Sequence, residues 1–90
     1  MHIRRSRSIK HKSQQALLID LLRDIRIEAG LRQVDLAERL ALPQSYVSKY
    51  ETGERSLDTL ELRQVCEALG LSFIDFIQRL EERLSKKDET

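Results

Sequence analysis

An all-α fold, a single bundle of five helices, is what this sequence predicts, and three observations carry the prediction. Apolar residues recur at three- and four-residue spacing in five separate runs, which puts them on one face of a helix each time. Gly30, Gly53 and Gly70 stand at the ends of three of those runs, where a left-handed cap would stop a helix. No segment alternates apolar and polar residues convincingly enough for a strand. Ninety residues suit one domain. A chain this short buries only about 60–65% of its unfolded surface, and with two Phe, two Tyr and no Trp its core must be built from Leu, Ile, Val and Ala.

Residues 1–12 show no apolar period. They hold Arg4, Arg5, Arg7, Lys10 and Lys12 and no acid, so they read as a mobile basic arm. The folded domain is then 13–85, and 86–90 is a charged tail. Within the domain, Leu18, Leu21, Leu22 and Ile25, with Ala29, define the first helix, which Gly30 ends. A second runs from Gln33 to Leu40 with Val34, Ala37 and Leu40 inward. A third follows Pro43, whose restricted φ suits a helix start, and turns Val47 and Tyr50 inward. Asp58 and Glu61 have the spacing of a capping box at the start of a fourth, which buries Leu62, Val65, Cys66 and Leu69. A fifth opens at Ser72, with Asp75 as its capping partner. It carries Phe73, Phe76, Ile77, Leu80 and Leu84 on one side and Ile74 on an adjoining face.

Composition excludes several classes of function. The longest apolar run is Ala16 to Ile19, far short of the roughly 20 residues that span a bilayer, and no apolar stretch follows the basic N-terminus as a secretory signal requires. Cys66 has no intramolecular partner and fits a reducing cytoplasm. Both histidines, His2 and His11, fall in the arm, so no catalytic triad or metal cluster can be held rigidly. No glycine-rich phosphate loop is present. The reading is therefore of a cytoplasmic, non-enzymatic protein with no cofactor, no metal, no membrane contact and no evident small-molecule ligand. Net charge is +1, but the arm holds five bases, and the rest of the chain holds 11 bases against 15 acids. Attraction to a polyanion must come from the arm and from a few placed groups.

The second and third helices, joined by a tight turn, form the distinctive unit. Ala37 leaves room for the third helix to cross. Val47 and Tyr50 are apolar on the inner side, while Gln44, Ser45, Ser48 and Lys49 form a polar outer row, a combination suited to a DNA major groove.

The runs Leu31–Leu40 and Gln44–Arg55 resemble the XRE family, the Cro and repressor type of helix-turn-helix, with Gln33, Leu36, Ala37, Val47, Ser48, Glu51 and Gly53 in register. The likeness extends over roughly Leu17 to Leu80. It implies a lambda-repressor-like DNA-binding domain, with the helix-turn-helix formed by helices 2 and 3 and a recognition helix at about 44–52. By position, Gln44, Ser45 and Lys49 are implied to read bases, with Ser48 assisting. Gln33 is implied to clamp a phosphate, with Arg32, Thr52 and Arg55 as further phosphate contacts. Arg26 and Glu51 are implied to form a structural pair. Three positions depart from the family: Ala41 stands where Gly is common in the turn, and Arg32 and Pro43 replace Ser or Thr caps.

One recognition helix reads few base pairs, so a homodimer on a two-fold operator of double-stranded DNA is expected, with Phe73, Phe76, Ile77, Leu80 and Leu84 as the interface. The expected function is transcriptional regulation. An antitoxin or a restriction-modification controller would use the same fold, and a protein-interaction module with a vestigial DNA face is the alternative from another class.

Overall fold

A computed structural model describes the backbone of residues 3–89 and the side chains of residues 14–86. It contains α1 (Ile3–Glu28), α2 (Gln33–Leu40), α3 (Gln44–Glu51), α4 (Thr59–Ala68) and α5 (Phe73–Glu89), with no strand among the described residues. The short helices α2 and α3 pack on each other. Helix α1 lies against α3 and α5, and α4 bridges α2 and α5. The core is a single cluster in which Leu21, Leu22, Leu36, Val47, Tyr50, Val65, Cys66 and Phe76 are all fully buried.

The helix ends follow from local chemistry. At Gly30 (φ +75°) the chain leaves α1 through paired hydrogen bonds, Gly30 N–H to the Ile27 carbonyl at 2.9 Å and Leu31 N–H to the Arg26 carbonyl at 3.1 Å. This Schellman pattern needs a left-handed residue. Helix α2 ends in the same pattern: Ala41 N–H donates to the Glu38 carbonyl and Leu42 N–H to the Ala37 carbonyl. Here, however, the left-handed residue is Ala41 (φ 58°, ψ 40°), whose Cβ makes that conformation unfavourable. Ala41→Gly is therefore expected to stabilise the domain by about 1 kcal/mol, read as a higher midpoint in urea denaturation. At the start of α4 the Asp58 carboxylate accepts the Glu61 N–H at 2.8 Å and the Glu61 carboxylate accepts the Asp58 N–H at 2.9 Å, the reciprocal box that the spacing predicts. Ser72 Oγ accepts the Asp75 N–H at 3.0 Å and caps α5.

Several expectations are corrected. Helix α1 begins at Ile3, so the backbone of the basic stretch continues the helix instead of forming a separate arm. No Gly or Pro lies between Ile3 and Glu28 to interrupt it. The side chains of Arg4, Arg5, Arg7, Lys10 and Lys12, and both histidines, lie outside the described residues. The charged tail likewise continues α5 to Glu89. Ala29 is exposed because it lies in the turn after α1, and Val34, Leu40 and Leu62 are only half-buried. Phe76 is 0% exposed; it belongs to the core and cannot form a subunit interface. On α5 the exposed apolar groups are Ile74 and Ile77, with Phe73, Leu80 and Leu84 half-buried.

Among the described residues, two ion pairs tie α5 to α1, Arg83 to Asp24 at 2.9 Å and Arg79 to Glu28 at 3.5 Å. Among the described residues no helix is long and apolar enough to cross a membrane.

Candidate nucleic-acid interface

Helix α3 is held from behind. Its inner residues Val47, Tyr50 and Glu51 are buried, and Glu51 meets Arg26 of α1 in a two-point contact: Nε donates to Oε2 at 2.8 Å and Nη2 to Oε1 at 2.9 Å. The third guanidinium nitrogen, Nη1, donates to the Leu31 carbonyl at 2.8 Å, so the pair also pins the chain entering α2. Both residues are nearly enclosed, Arg26 at 9% and Glu51 at 5% exposure. The hydrogen bonds that the guanidinium donates to Glu51 hold it above its ordinary pKa.

The outer side of the same helix is open. Gln44, Ser45 and Lys49 are exposed and Ser48 is half-buried. Pro43 occupies the N-cap position with extended backbone and offers no side-chain acceptor, leaving the first amides of α3 uncapped by it. The base-reading candidates thus share one accessible face of a helix whose other face is locked into the core.

Gln33 occupies the seam between α2 and α3. Its Nε2 donates to Glu51 Oε1 at 3.0 Å, and its Oε1 accepts from Gln44 Nε2 at 3.4 Å. Both ends of the amide placed by resemblance at a phosphate are engaged within the protein. Arg32 reaches Asp35 through Nε and Nη2 at 3.0 and 2.9 Å. The Asp35 carboxylate also accepts the Arg32 backbone N–H at 2.8 Å. Arg32 has no acceptor with which to cap α2, and Asp35 caps from the opposite end instead. The Arg32 guanidinium and then its N–H hold the Asp35 carboxyl at about 2, down from 3.8. This support of the first turn of α2 is present at neutral pH and is lost as pH falls below 3.8 and through about 2.

Arg55 donates to Glu61 and stacks 4.7 Å above the Tyr46 ring, an arrangement that braces the loop after α3. The Thr52 hydroxyl donates to the Lys49 carbonyl at 3.0 Å. Lys49 makes no ion pair among the described residues. Sequence reasoning assigned no role to Tyr46, Asp35 or Arg39. Tyr46 meets Tyr50 edge-on at 6.0 Å, and Arg39 Nη1 donates to the Ala68 carbonyl at 2.9 Å, joining α2 to the end of α4. The spacing of Arg32 and Asp35, and the four-residue spacing of Tyr46 and Tyr50 on α3, are local signals, whereas the Arg39 contact across 29 positions has none.

Tyr50 carries a cost. Its buried hydroxyl has no hydrogen-bond partner, and burial raises its pKa above the ordinary phenol value. Tyr50→Phe is expected to raise stability by about 1 kcal/mol, since it removes an unsatisfied polar group; a lower melting temperature would contradict this. The Cys66 thiol, pushed by burial up to about 11, is an inert core group. Among the described residues no cluster of three or more His, Cys, Asp or Glu is placed to hold a metal ion.

The family model described as Helix-turn-helix matches residues 22–76. This chain belongs to the Cro/C1-type, or XRE, helix-turn-helix family. Its helix-turn-helix is α2 and α3 with the turn 41–43. Among curated proteins, this helix-turn-helix chain is 31% identical over 58 residues to the uncharacterized HTH-type transcriptional regulator y4dJ of Sinorhizobium fredii (strain NBRC 101917 / NGR234), covering 64% of this chain and 75% of that one. Among solved structures it is similar to an XRE-family like protein from Pseudomonas syringae pv. tomato str. DC3000, with TM-score 0.79, 38% identity, and 87% and 94% of the two chains covered. It is also similar to the restriction-modification controller protein C.Esp1396I, solved as a tetramer in complex with its natural 35 base-pair operator, with TM-score 0.74, 27% identity, and 79% and 93% covered.

Proposed function

We propose that this protein is a sequence-specific DNA-binding transcriptional regulator that acts as a homodimer on a two-fold operator. The observation that carries this reading is the division of α3 into a buried, ion-paired inner face and an accessible row of Gln44, Ser45 and Lys49. A rigid helix with short polar groups on its outer side suits the major groove. Gln offers the paired donor and acceptor that match adenine, and Lys the donors that match guanine O6 and N7. Ser48 assists from a half-buried position. Arg32, Gln33 and Thr52 flank this row and supply phosphate contacts. Arg55 joins them by exchanging its Glu61 partner for a phosphate oxygen. The five bases of residues 1–12 add salt-sensitive attraction that the mildly acidic remainder of the chain does not.

Association uses the exposed α5 groups Ile74 and Ile77, which lie three residues apart on one helix face, extended by Phe73, Leu80 and Leu84. A two-fold pair would set two copies of α3 about 34 Å apart, one helical turn of DNA. The setting is the cytoplasm, and the role is binding without catalysis.

In vitro selection of bound DNA tests the proposal: a symmetric pair of half-sites supports it, and recovery of no sequence preference sinks it in favour of a protein-interaction module. Lys49→Ala is expected to relax discrimination at one base pair by about 1–3 kcal/mol, measured by titrating single-base variants of the selected site. A uniform loss across all variants would remove Lys49 from base reading. The likeness to C.Esp1396I favours a second reading, a restriction-modification controller; genes for a nuclease and a methyltransferase beside this one would support it.

A further inference from the structure

Glu61 serves two partners with one carboxylate. Its Oε1 accepts the Asp58 N–H at 2.9 Å and closes the capping box of α4, while its Oε2 accepts from Arg55 Nη2. We propose that Glu61 is an autoinhibitory residue, a built-in competitor of DNA whose Oε2 occupies Arg55 and so weakens binding to every sequence alike. The inference rests on the reading of Arg55 as a phosphate contact.

Placement makes the competition direct. The Arg55 N–H donates to the Lys49 carbonyl at 3.2 Å, which fixes the loop to the last turn of α3. Its guanidinium lies over the Tyr46 ring, 4.7 Å from the centroid. Tyr46 and Lys49 are three residues apart and therefore neighbours on the helix surface, so Arg55 rests beside the outer row of α3. The Arg55 side chain is 36% exposed and that of Glu61 27%, so the pair borders solvent and an approaching phosphate meets both charges. The other hydrogen bond of the guanidinium among the described residues, Nη1 to the Ser56 carbonyl, is long at 3.4 Å. Glu61 is the group that holds it.

Carboxylate and phosphate engage a guanidinium in the same way, by accepting N–H bonds from its planar fork. A phosphate that takes Arg55 must break the link to Glu61, and it then stands near a carboxylate that has lost its cation. Both effects oppose binding. Neither depends on base sequence, since phosphate contacts carry none of that information. The capping oxygen is not involved in the exchange: Oε1 keeps the Asp58 N–H whether Oε2 holds Arg55 or water. The cap and the competition are therefore separable. Gln also serves at this position of a capping box, so Glu61→Gln keeps the first and removes the competing charge.

The test uses the full chain, titrated with the selected duplex and with a scrambled duplex of equal length, and melting curves verify folding. Glu61→Gln is expected to tighten both complexes roughly three- to five-fold, the scale of a partly exposed ion pair, and to leave their ratio unchanged. Arg55→Ala should weaken both and lower the slope of log K against log salt by about 1. In the Arg55→Ala background Glu61→Gln should have no effect, because no guanidinium is left to release. Asp58→Asn removes an acid from the same loop, retains a good helix cap and leaves Arg55 paired, so its affinity should stay near that of the wild type. A tightening that persists without Arg55, or that Asp58→Asn reproduces, is the general effect of removing negative charge and overturns the proposal. Unchanged or weaker binding by folded Glu61→Gln overturns it as well. If Glu61→Gln does not fold, the wild type decides by NMR: on adding DNA, the Glu61 carboxyl carbon must move toward its position in Arg55→Ala, and a signal that stays in place overturns the proposal. Wild-type affinity and salt slope in Arg55→Ala would instead sink the phosphate reading of Arg55, and this proposal with it.

Discussion

Glu51→Ala is expected to lower the free energy of unfolding by about 3–5 kcal/mol, measured by urea denaturation followed by far-ultraviolet circular dichroism. The substitution leaves the Arg26 side chain, only 10% exposed, without the acceptor for two of its nitrogens. Gln33 Nε2 loses its partner as well. The loss is large against a total of about 5–15 kcal/mol for a domain. Most of it is the penalty of stranding a buried guanidinium rather than the worth of the pair. Arg26→Met/Glu51→Leu should therefore lie much closer to the wild type, despite removing both charges. A single variant that costs less than about 1 kcal/mol would mean that Arg26 finds water when Glu51 is gone.

Phe76→Ala is expected to cost a further large amount, about 3–5 kcal/mol in the same assay. Phe76 is fully buried beside the α1 and α4 residues of the core, and its removal leaves a ring-sized void that close-packed neighbours cannot fill. The contrasting substitutions are Ile74→Glu and Ile77→Glu. Ile74 is 72% exposed and Ile77 37%, so each should change monomer stability little, while shifting sedimentation from dimer to monomer if α5 forms the interface. The pattern separates two roles that share one helix. An Ile74→Glu variant that remains dimeric would move the interface off this face.

The five helices were legible because each obeys a local rule. Gly30 closes a Schellman motif, Asp58 and Glu61 cap each other, and Ser72 caps α5 within three residues. These contacts lie within one turn of the chain, where residue type and spacing are sufficient. Where the period alone was used, the margins failed: Ala29 reads as part of the apolar face but is exposed. The α1 boundary at Ile3 was missed because a basic, aperiodic stretch offers no burial signal, although nothing in it forbids a helix.

The candidate site divides in the same way. That Gln44, Ser45 and Lys49 share a polar row follows from helical spacing. That Arg26 faces Glu51 across 25 positions came only through resemblance to a family. Periodicity on α5 put Phe76 and Ile77 on one apolar side, and only packing against α1 and α4 separates the 0% exposed Phe76 from the 37% exposed Ile77. The inward turn of the Gln33 amide had no sequence signal, since it depends on a carboxylate 18 positions away. By itself, the sequence determined the capped helix ends at Gly30, Asp58 and Ser72 and which residues form the polar row of α3, because caps and helical period act over three or four residues. Tertiary structure alone decided which apolar groups are enclosed, and that Glu51 stands behind that row and orients Gln33, because burial and hydrogen-bond direction are set by partners the chain brings together only when folded.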